Sequence, residues 1–428
     1  MKKIYIEALG CPKSIVDSEE IAGYFAKDGF VVTENPEEAE IVVINTCGFI
    51  EPAREESIET ILKLAEYKNS GRCKKLIVTG CFVQKSEKEL KENLPEVDYF
   101  FNLDNINEIR KIIDPNLNFS LTERNLLTPS HYAYLKISEG CNNNCSYCTI
   151  PAIRGKLKSK PMEQLQDEAL KLAKKGVKEL IIIAQDIGNY GIDIYKKKML
   201  VPFLKRLLNL DRFKWIRLMY LNPQNITEDI ARLTSENKEI CNYLDLPIQH
   251  ASDKILKKMN RKTSRSQIER RIEMLRDINT DLVLRTSIIT GFPGETQDDF
   301  EEIIEFLREI KFTRLGAFKY YREEGTPAAD FDKQITEEIK LERYNRIMHV
   351  QQNISQIKLS KFVNKKLNVI IDRKINDSVF ECRTEYDAPE IDGIVFLEDV
   401  KNSELQVGDF VKVRIIDNLE YDLIAKEI

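Results

Sequence analysis

Histidine is nearly missing from this chain, with three among 428 residues, and there is a single tryptophan. No Ser-His-Asp or paired-carboxylate arrangement stands out, so acid–base or nucleophilic catalysis by side chains alone finds little material. No apolar run reaches the about 18 residues that a membrane-spanning helix requires, and no membrane partner is expected. The opening MKKIYIEALG carries Glu7 inside its apolar stretch and reads as a first β-strand instead of a signal peptide. An excess of charge of one sign is also lacking: 65 Lys and Arg face 70 Asp and Glu, a net of −5, which excludes a global field for nucleic acid. There is no internal repeat and no low-complexity tract. What remains is 42% hydrophobic and 32% charged, the composition of a soluble globular protein with length for two or three domains. The expected location is a reducing cytoplasm, where nine cysteines serve as thiols or metal ligands and not as a disulfide framework.

Residues 1–125 alternate short apolar runs (KIYIEAL, GFVVTE, AEIVVINT, KKLIVTG, VDYFFN) with amphipathic stretches. Continuous β-branched runs suit a parallel sheet covered on both faces, so a doubly wound α/β domain is expected. Residues 115–131 read as a connector rich in turn formers. A second α/β series over 132–358 offers six strands, fewer than a closed eight-unit barrel needs, which predicts an open or partial barrel. From 360 to 428 the helical periodicity stops, and short strands predict a small all-β barrel.

The stretch EGCNNNCSYCTIP sets Cys141, Cys145 and Cys148 within eight positions. This C-x3-C-x2-C spacing fits neither common zinc pattern, and none of His131, His250 and His349 lies in the loop. A 4Fe-4S cubane normally takes four thiolates, so three would leave one iron open to a substrate or cofactor. Gly140 permits a tight turn, and three asparagines tolerate unusual backbone angles and offer hydrogen bonds to sulfur. Three unrelated buried cysteines, or a structural zinc site, are the alternatives.

In the N-terminal domain Cys11, Cys47 and Cys81 each close an expected strand, in YIEALGC, VVINTC and LIVTGC. Ligands of doubly wound sheets converge at that carboxyl edge. One such cysteine would read as a small buried hydrophobe, but the same placement three times predicts a second three-cysteine cluster. Cys73, Cys241 and Cys382 do not repeat it and read as structural.

With Tyr147 before its last cysteine, the 141–148 motif resembles the radical S-adenosylmethionine superfamily. Two three-cysteine sets, one in an α/β domain and one in a partial barrel, followed by a β module, resemble the methylthiotransferases within it. The likeness runs along essentially the whole chain, through ALGCPKSIVDSE (8–19), NTCGFI (45–50), CNNNCSYCTIPAIRGKLKSKP (141–161), DLPIQHASDKILKKMNR (245–261), ITGFPGET (289–296) and EEGTPAA (323–329). It implies two 4Fe-4S clusters and two molecules of S-adenosylmethionine per turnover, one a methyl donor and one the source of a 5′-deoxyadenosyl radical. The C-terminal module is then TRAM-like.

Two branches of that family differ in substrate: a hypermodified adenosine in transfer RNA, or the β-carbon of an aspartate in small-subunit ribosomal protein S-twelve. Pro12–Lys13 after Cys11, the AIRGK loop and QHASDKIL resemble the ribosomal-protein branch. The β module, residues 360–428, carries 10 Lys and Arg against 15 Asp and Glu. An acidic module repels RNA and suits a basic ribosomal protein, free or in the small subunit. The electron donor is left unidentified. A non-catalytic iron–sulfur sensor and an RNA-binding protein are the rival classes.

Cofactor contacts are expected at the carboxyl ends of the barrel strands. Gln185 and Asp186 follow the second strand, Gln249 and His250 follow LDLPI, and Arg285 could pair a cofactor carboxylate. The turn of Gly291, Pro293 and Gly294 resembles an adenine-side loop, with Glu295 offset by one place. Tyr147 joins these candidates, His250 is either a substrate contact or structural, and Arg154 is expected to shield cluster charge.

Overall fold

Apolar runs separated by amphipathic stretches become, at the N-terminus, a five-stranded parallel sheet. The computed structural model describes residues 2–27, 29–105, 108–109, 112, 123–400 and 404–428. Strands β1 (Lys2–Ala8), β2 (Phe30–Val32), β3 (Ile41–Thr46), β4 (Lys75–Gly80) and β5 (Tyr99–Phe101) lie in the order β2-β1-β3-β4-β5. Alternation along β3 feeds two cores: Val42 and Ile44 join Leu76 and Val78 on one face, and Ile41 and Val43 join Ile4 and Ile77 on the other. Both faces are thus covered, by helices that include α1 (Pro12–Lys27), α2 (Glu51–Ala65) and, after the short α3 (Tyr67–Ser70), α4 (Cys81–Asn93). The connector expected over 115–131 lies outside the described residues up to 122. Beyond it Arg124 pairs with Glu19 of α1, and the Leu127 amide donates to the same carboxylate at 3.0 Å.

The second series begins with β6 (Tyr132–Lys136) and, past the two-residue β7 (Ser138–Glu139) and β8 (Lys158–Ser159), continues as β9 (Glu179–Ile183), β10 (Trp215–Leu218), β11 (Ile240–Asp245), β12 (Val283–Thr290) and β13 (Arg314–Lys319). The sheet order β13-β12-β11-β10-β9-β6 keeps chain neighbours side by side and leaves two edges, an open six-stranded sheet. After a 23-residue helix, Glu337–Leu359, strands β14 (Lys366–Lys374), β15 (Phe380–Thr384), β16 (Val395–Glu398), β17 (Phe410–Asn418) and β18 (Leu423–Glu427) close a small barrel in the order β14-β15-β16-β18-β17. Val369, Ile371, Cys382, Val413 and Ile415 fill it.

The chain forms two compact units. One is Met1–Pro129 with Tyr134–Asn142 and Cys148–Lys158; the other is Ser130–Ala133, Asn143–Tyr147 and Ser159–Ile428. The second unit therefore holds both the β9–β13 strands and the C-terminal barrel, which sequence periodicity separates near 360. A buried charged seam joins them. Glu179, fully buried on β9, takes Arg217 of β10 at 2.7 Å and Arg383 of β15 at 2.8 Å. Arg383 also holds Asp372 at 2.6 Å, and Asp372 faces His131 at 2.7 Å. Arg314 pairs with Asp387, and Trp215 meets Phe410 edge-on with ring centroids 4.8 Å apart. Burial alone would raise the Glu179 carboxyl, but Arg383 and Arg217 hold it below its ordinary value. Asp372 is likewise held low against its burial, by His131 and Arg383.

Candidate functional site

Strands β1, β3 and β4 are consecutive neighbours, and their registers pair Ala8 with Asn45 and Thr46 with Gly80. Parallel strands lie about 4.8 Å apart, so Cys11, Cys47 and Cys81, just past these ends, share one edge. A Cβ placed on Gly10 would stand 3.0 Å from Cys47 Sγ. Burial pushes the Cys81 thiol up to about 12; Arg154 opposes that, while Cys11 and Cys47 add to it. Each of the three is partly exposed. Asn45 ties this edge to α1 through the Ser14 carbonyl and the Ser18 hydroxyl, both at 2.9 Å. By contrast Cys73, Cys241 and Cys382 are buried, as structural residues would be.

Arg154 donates from Nε to Cys81 Sγ at 3.2 Å, so it belongs with the N-terminal thiols despite following Cys148 in sequence. Its other nitrogens hold Asp17 and Glu139, each at 3.0 Å, and Lys136 bridges the same two carboxylates. Burial alone would lower the Arg154 pKa, and Asp17 and Glu139 reverse that. A permanent cation donating to one of three mutually repelling thiols fits an anionic three-thiolate cluster. Among the described residues no three His, Cys, Asp or Glu side chains converge on a single-ion site. Cubane thiolates bind different irons and need not converge.

The 141–148 loop is held residue by residue. Gly140 has φ +70, and a Cβ there would lie 2.3 Å from the Lys156 carbonyl oxygen, so glycine is required. The Cys141 amide donates to the Gly155 carbonyl at 3.1 Å, and Asn142 Oδ1 accepts from the Leu157 amide at 3.1 Å. Asn143 donates to Asp186 at 2.9 Å and accepts from Gln224 at 3.1 Å. Asn144 takes the left-handed backbone, φ 50. Ser146 anchors to the carbonyls of Lys258 and Met259, and Tyr147 packs on Ile255, Met259 and Phe292. The asparagines expected near sulfur thus brace the loop instead. Arg261, which the sequence reading did not single out, places Nη1 3.9 Å from Cys145 Sγ and donates to the Pro247 carbonyl at 2.7 Å.

The other candidates divide. Gln185 lies two residues beyond β9. Asp186 turns inward and accepts from the side-chain amides of Asn143, Asn189 and Asn225 at 2.8–2.9 Å, so it braces the cysteine loop. Gln249 has φ 75, and its amide and carbonyl bond Ser287 and Ile289 of β12. Arg285 is committed elsewhere: Asp245 at 3.0 Å and Asp392 at 3.3 Å make it part of the seam, where protein carboxylates take the place expected for a cofactor's. Gly291 has φ +75, and a Cβ there would meet Lys340 Cγ at 2.3 Å. The Gly291 amide donates to Glu295, which also holds Arg343 at 2.6 Å and faces His250 Nε2 at 3.3 Å. His250 Nδ1 accepts from the Ser252 amide at 2.9 Å, so network geometry assigns the proton to Nε2. His250 and Glu295 therefore support the turn.

Family comparisons match three separate stretches of the chain. The uncharacterized protein family UPF0004 matches residues 3–102, the radical SAM superfamily matches 135–307, and the TRAM domain matches 363–428. The chain is similar to the ribosomal protein uS12 methylthiotransferase RimO of Clostridioides difficile strain 630, 47% identical over 439 residues and covering 99% of this chain and 98% of that one. It is also similar to the protein of that name from Clostridium botulinum strain Eklund 17B, 46% identical, covering 99% and 97%. Among solved structures, the radical S-adenosylmethionine methyltransferase TsrM of Kitasatospora setae, with cobalamin and a [4Fe-4S] cluster bound, shares the fold at a TM-score of 0.55 and 15% identity over 77% of each chain. The cobalamin-dependent S-adenosylmethionine radical enzyme OxsB does so at 0.51 and 10%, covering 82% of this chain and 56% of that one.

Proposed function

Since the chain belongs to the ribosomal protein uS12 methylthiotransferase family, we propose that it replaces a β-carbon hydrogen of an aspartate in that protein with a methylthio group. The observation that carries the reading is the pair of three-cysteine sets, Cys141, Cys145 and Cys148 in one loop and Cys11, Cys47 and Cys81 at one sheet edge. Each set has one ligand fewer than a cubane has irons. Bound there, two 4Fe-4S clusters and S-adenosylmethionine supply what side chains lack: the 5′-deoxyadenosyl radical that abstracts the hydrogen, and the sulfur and methyl that replace it.

The residues around these sites position and exclude. Arg154 offsets negative charge beside Cys81. Asp186 and Asn143 hold the cysteine loop, with Tyr147 packed beneath it. The Gly291–Glu295 turn and Gln185 and Gln249 stand after strand ends where S-adenosylmethionine contacts belong in such sheets. Arg285 is left out of that set. The acidic C-terminal barrel suits the basic substrate protein, and the reaction takes place where ribosomes are, in the cytoplasm.

Mass spectrometry of ribosomal proteins and transfer RNA, from cells with and without the gene, tests the reading. Loss of the uS12 modification is expected. Loss of methylthio-adenosine with uS12 unchanged would replace the substrate by transfer RNA. In vitro, reconstituted protein should hold about eight irons, and changing Cys141, Cys145 and Cys148 together to Ala should leave about four and abolish 5′-deoxyadenosine formation. An iron-free triple variant would sink the claim of two separate sites.

A further inference from the structure

The face of the open sheet that carries Arg285 holds an unused donor. Along β12 the two-residue period sets Arg285, Ser287 and Ile289 on one side, and Arg285 Nη1 reaches Ser287 Oγ at 3.3 Å. Thr286, Ile288 and Thr290 on the other side are buried, whereas Ser287 and Ile289 are only half-buried. On the neighbouring β13, Gly316 stands opposite Ser287, and Phe318, two residues on, is 50% exposed. Arg285 itself is 8% exposed. Its Nη1 donates to Asp245 at 3.0 Å, and its Nε lies 3.3 Å from Asp392. Nη2 has no hydrogen-bond acceptor among the described residues. It lies 3.3 Å from the point where a Cβ on Gly316 would stand, and the Phe318 ring is equally close to that point. A guanidinium nitrogen held this deep ordinarily finds an acceptor. Here the missing side chain of Gly316 leaves the way to it open, beside an exposed aromatic ring.

We infer that Arg285 Nη2, beside Gly316 and Phe318, binds the side-chain carboxylate of the aspartate that is modified. The inference rests on the proposed function and adds to it the residue that reads the substrate. Segment 247–249 links this face to Cys145: the Gln249 amide donates to the Ser287 carbonyl at 2.9 Å, and the Pro247 carbonyl holds Arg261, whose Nη1 is 3.9 Å from Cys145 Sγ. Arg285 lies two residues below Ser287, about 7 Å deeper along the strand. A carboxylate anchored at that depth leaves the adjoining β-carbon, one bond away, on the side facing the cysteine loop. Asp245 and Asp392 fix the guanidinium from beneath, so the donor is set in place before the substrate arrives. A charge-assisted hydrogen bond made there, out of water, favours a carboxylate over its amide isostere.

The test uses the reconstituted full chain with purified uS12 and with uS12 in which the target aspartate is replaced by asparagine. The unchanged protein should favour the aspartate form at least about ten-fold in kcat/KM. Gly316→Ala sets a methyl group in the approach to Nη2 and leaves the pairs with Asp245 and Asp392 in place. It should raise KM for uS12 about ten-fold, keep kcat within about two-fold, and leave S-adenosylmethionine affinity unchanged. Arg285→Gln should turn over the two forms at nearly equal rates, whereas a merely structural arginine would lower both in proportion and keep the preference. No preference in the unchanged protein, a preference kept in Arg285→Gln, or an unmoved KM in Gly316→Ala overturns the inference. Weakened S-adenosylmethionine affinity in Gly316→Ala also overturns it, because the carboxylate bound would then be the cofactor's. An unchanged protein that cleaves S-adenosylmethionine and modifies transfer RNA but not uS12 would instead refute the functional reading.

Discussion

Arg154 gathers Asp17, Glu139 and Cys81 around one guanidinium, and its fork supplies what a point charge cannot. Arg154→Met would leave the buried Asp17 and the partly exposed Glu139 with Lys136 alone, and removing the partner of a buried carboxylate typically costs about 3–5 kcal/mol. A lowered midpoint in chemical denaturation is therefore expected, together with loss of iron from the Cys11–Cys47–Cys81 set. Arg154→Lys should recover most of the stability but less of the iron, since it keeps the charge without the Nε–Sγ geometry. Unchanged stability and full iron in the methionine variant would remove Arg154 from any supporting role.

At the scale of elements, two glycines flanking the cysteine loop separate backbone strain from steric conflict. Gly140 and Gly155 both have positive φ, +70 and +72, but a Cβ at Gly140 would lie 2.3 Å from the Lys156 carbonyl oxygen, whereas at Gly155 nothing lies within 4 Å. Gly155→Ala should cost only about 1–2 kcal/mol of left-handed strain and keep its iron. Gly140→Ala must displace the 155–156 backbone, and with it the carbonyl that receives the Cys141 amide. Iron and sulfide analysis of the two variants should therefore diverge, and equal retention would show that the loop tolerates the shift.

For the whole molecule, the seam makes the C-terminal barrel part of the same compact unit as β9–β13. Glu179 and Asp372 are held below their ordinary values, so the unfolded chain binds their protons more tightly. Their contribution is fully present above the ordinary carboxylate range, about pH 4, and is lost as pH falls through the lower folded values. Asp392 acts in the opposite sense, because burial raises it. Trp215, the single tryptophan, sits in the seam against Phe410 and reports on it. Its emission should be steady from pH 7 down to about 5 and shift to the red below about pH 4, with proteolytic release of the barrel. A red shift already complete above about pH 5 would show that these two carboxylates do not control the seam.

The amino-acid sequence by itself determined which residues are local to one another. Three thiols within eight positions, glycines at tight turns, alternating strands and the break in periodicity near 360 are all written in short spacing, which covalent geometry carries directly into space. That Cys11, Cys47 and Cys81 lie at one sheet edge was legible for a related reason: parallel strands expose their carboxyl ends at one edge, and only the order β1-β3-β4 had to be supplied by the fold. Partners of charged side chains were not legible. Arg154 follows Cys148 in the chain but bonds Cys81, and Arg285 meets Asp392 across more than a hundred residues. Asp186 braces the cysteine loop, and Arg261 faces Cys145 from a loop 116 positions away. Such pairings depend on sheet order and on how the barrel closes against β9–β13. Sequence periodicity encodes how deeply a residue is buried, and only tertiary structure decides which charge it meets there.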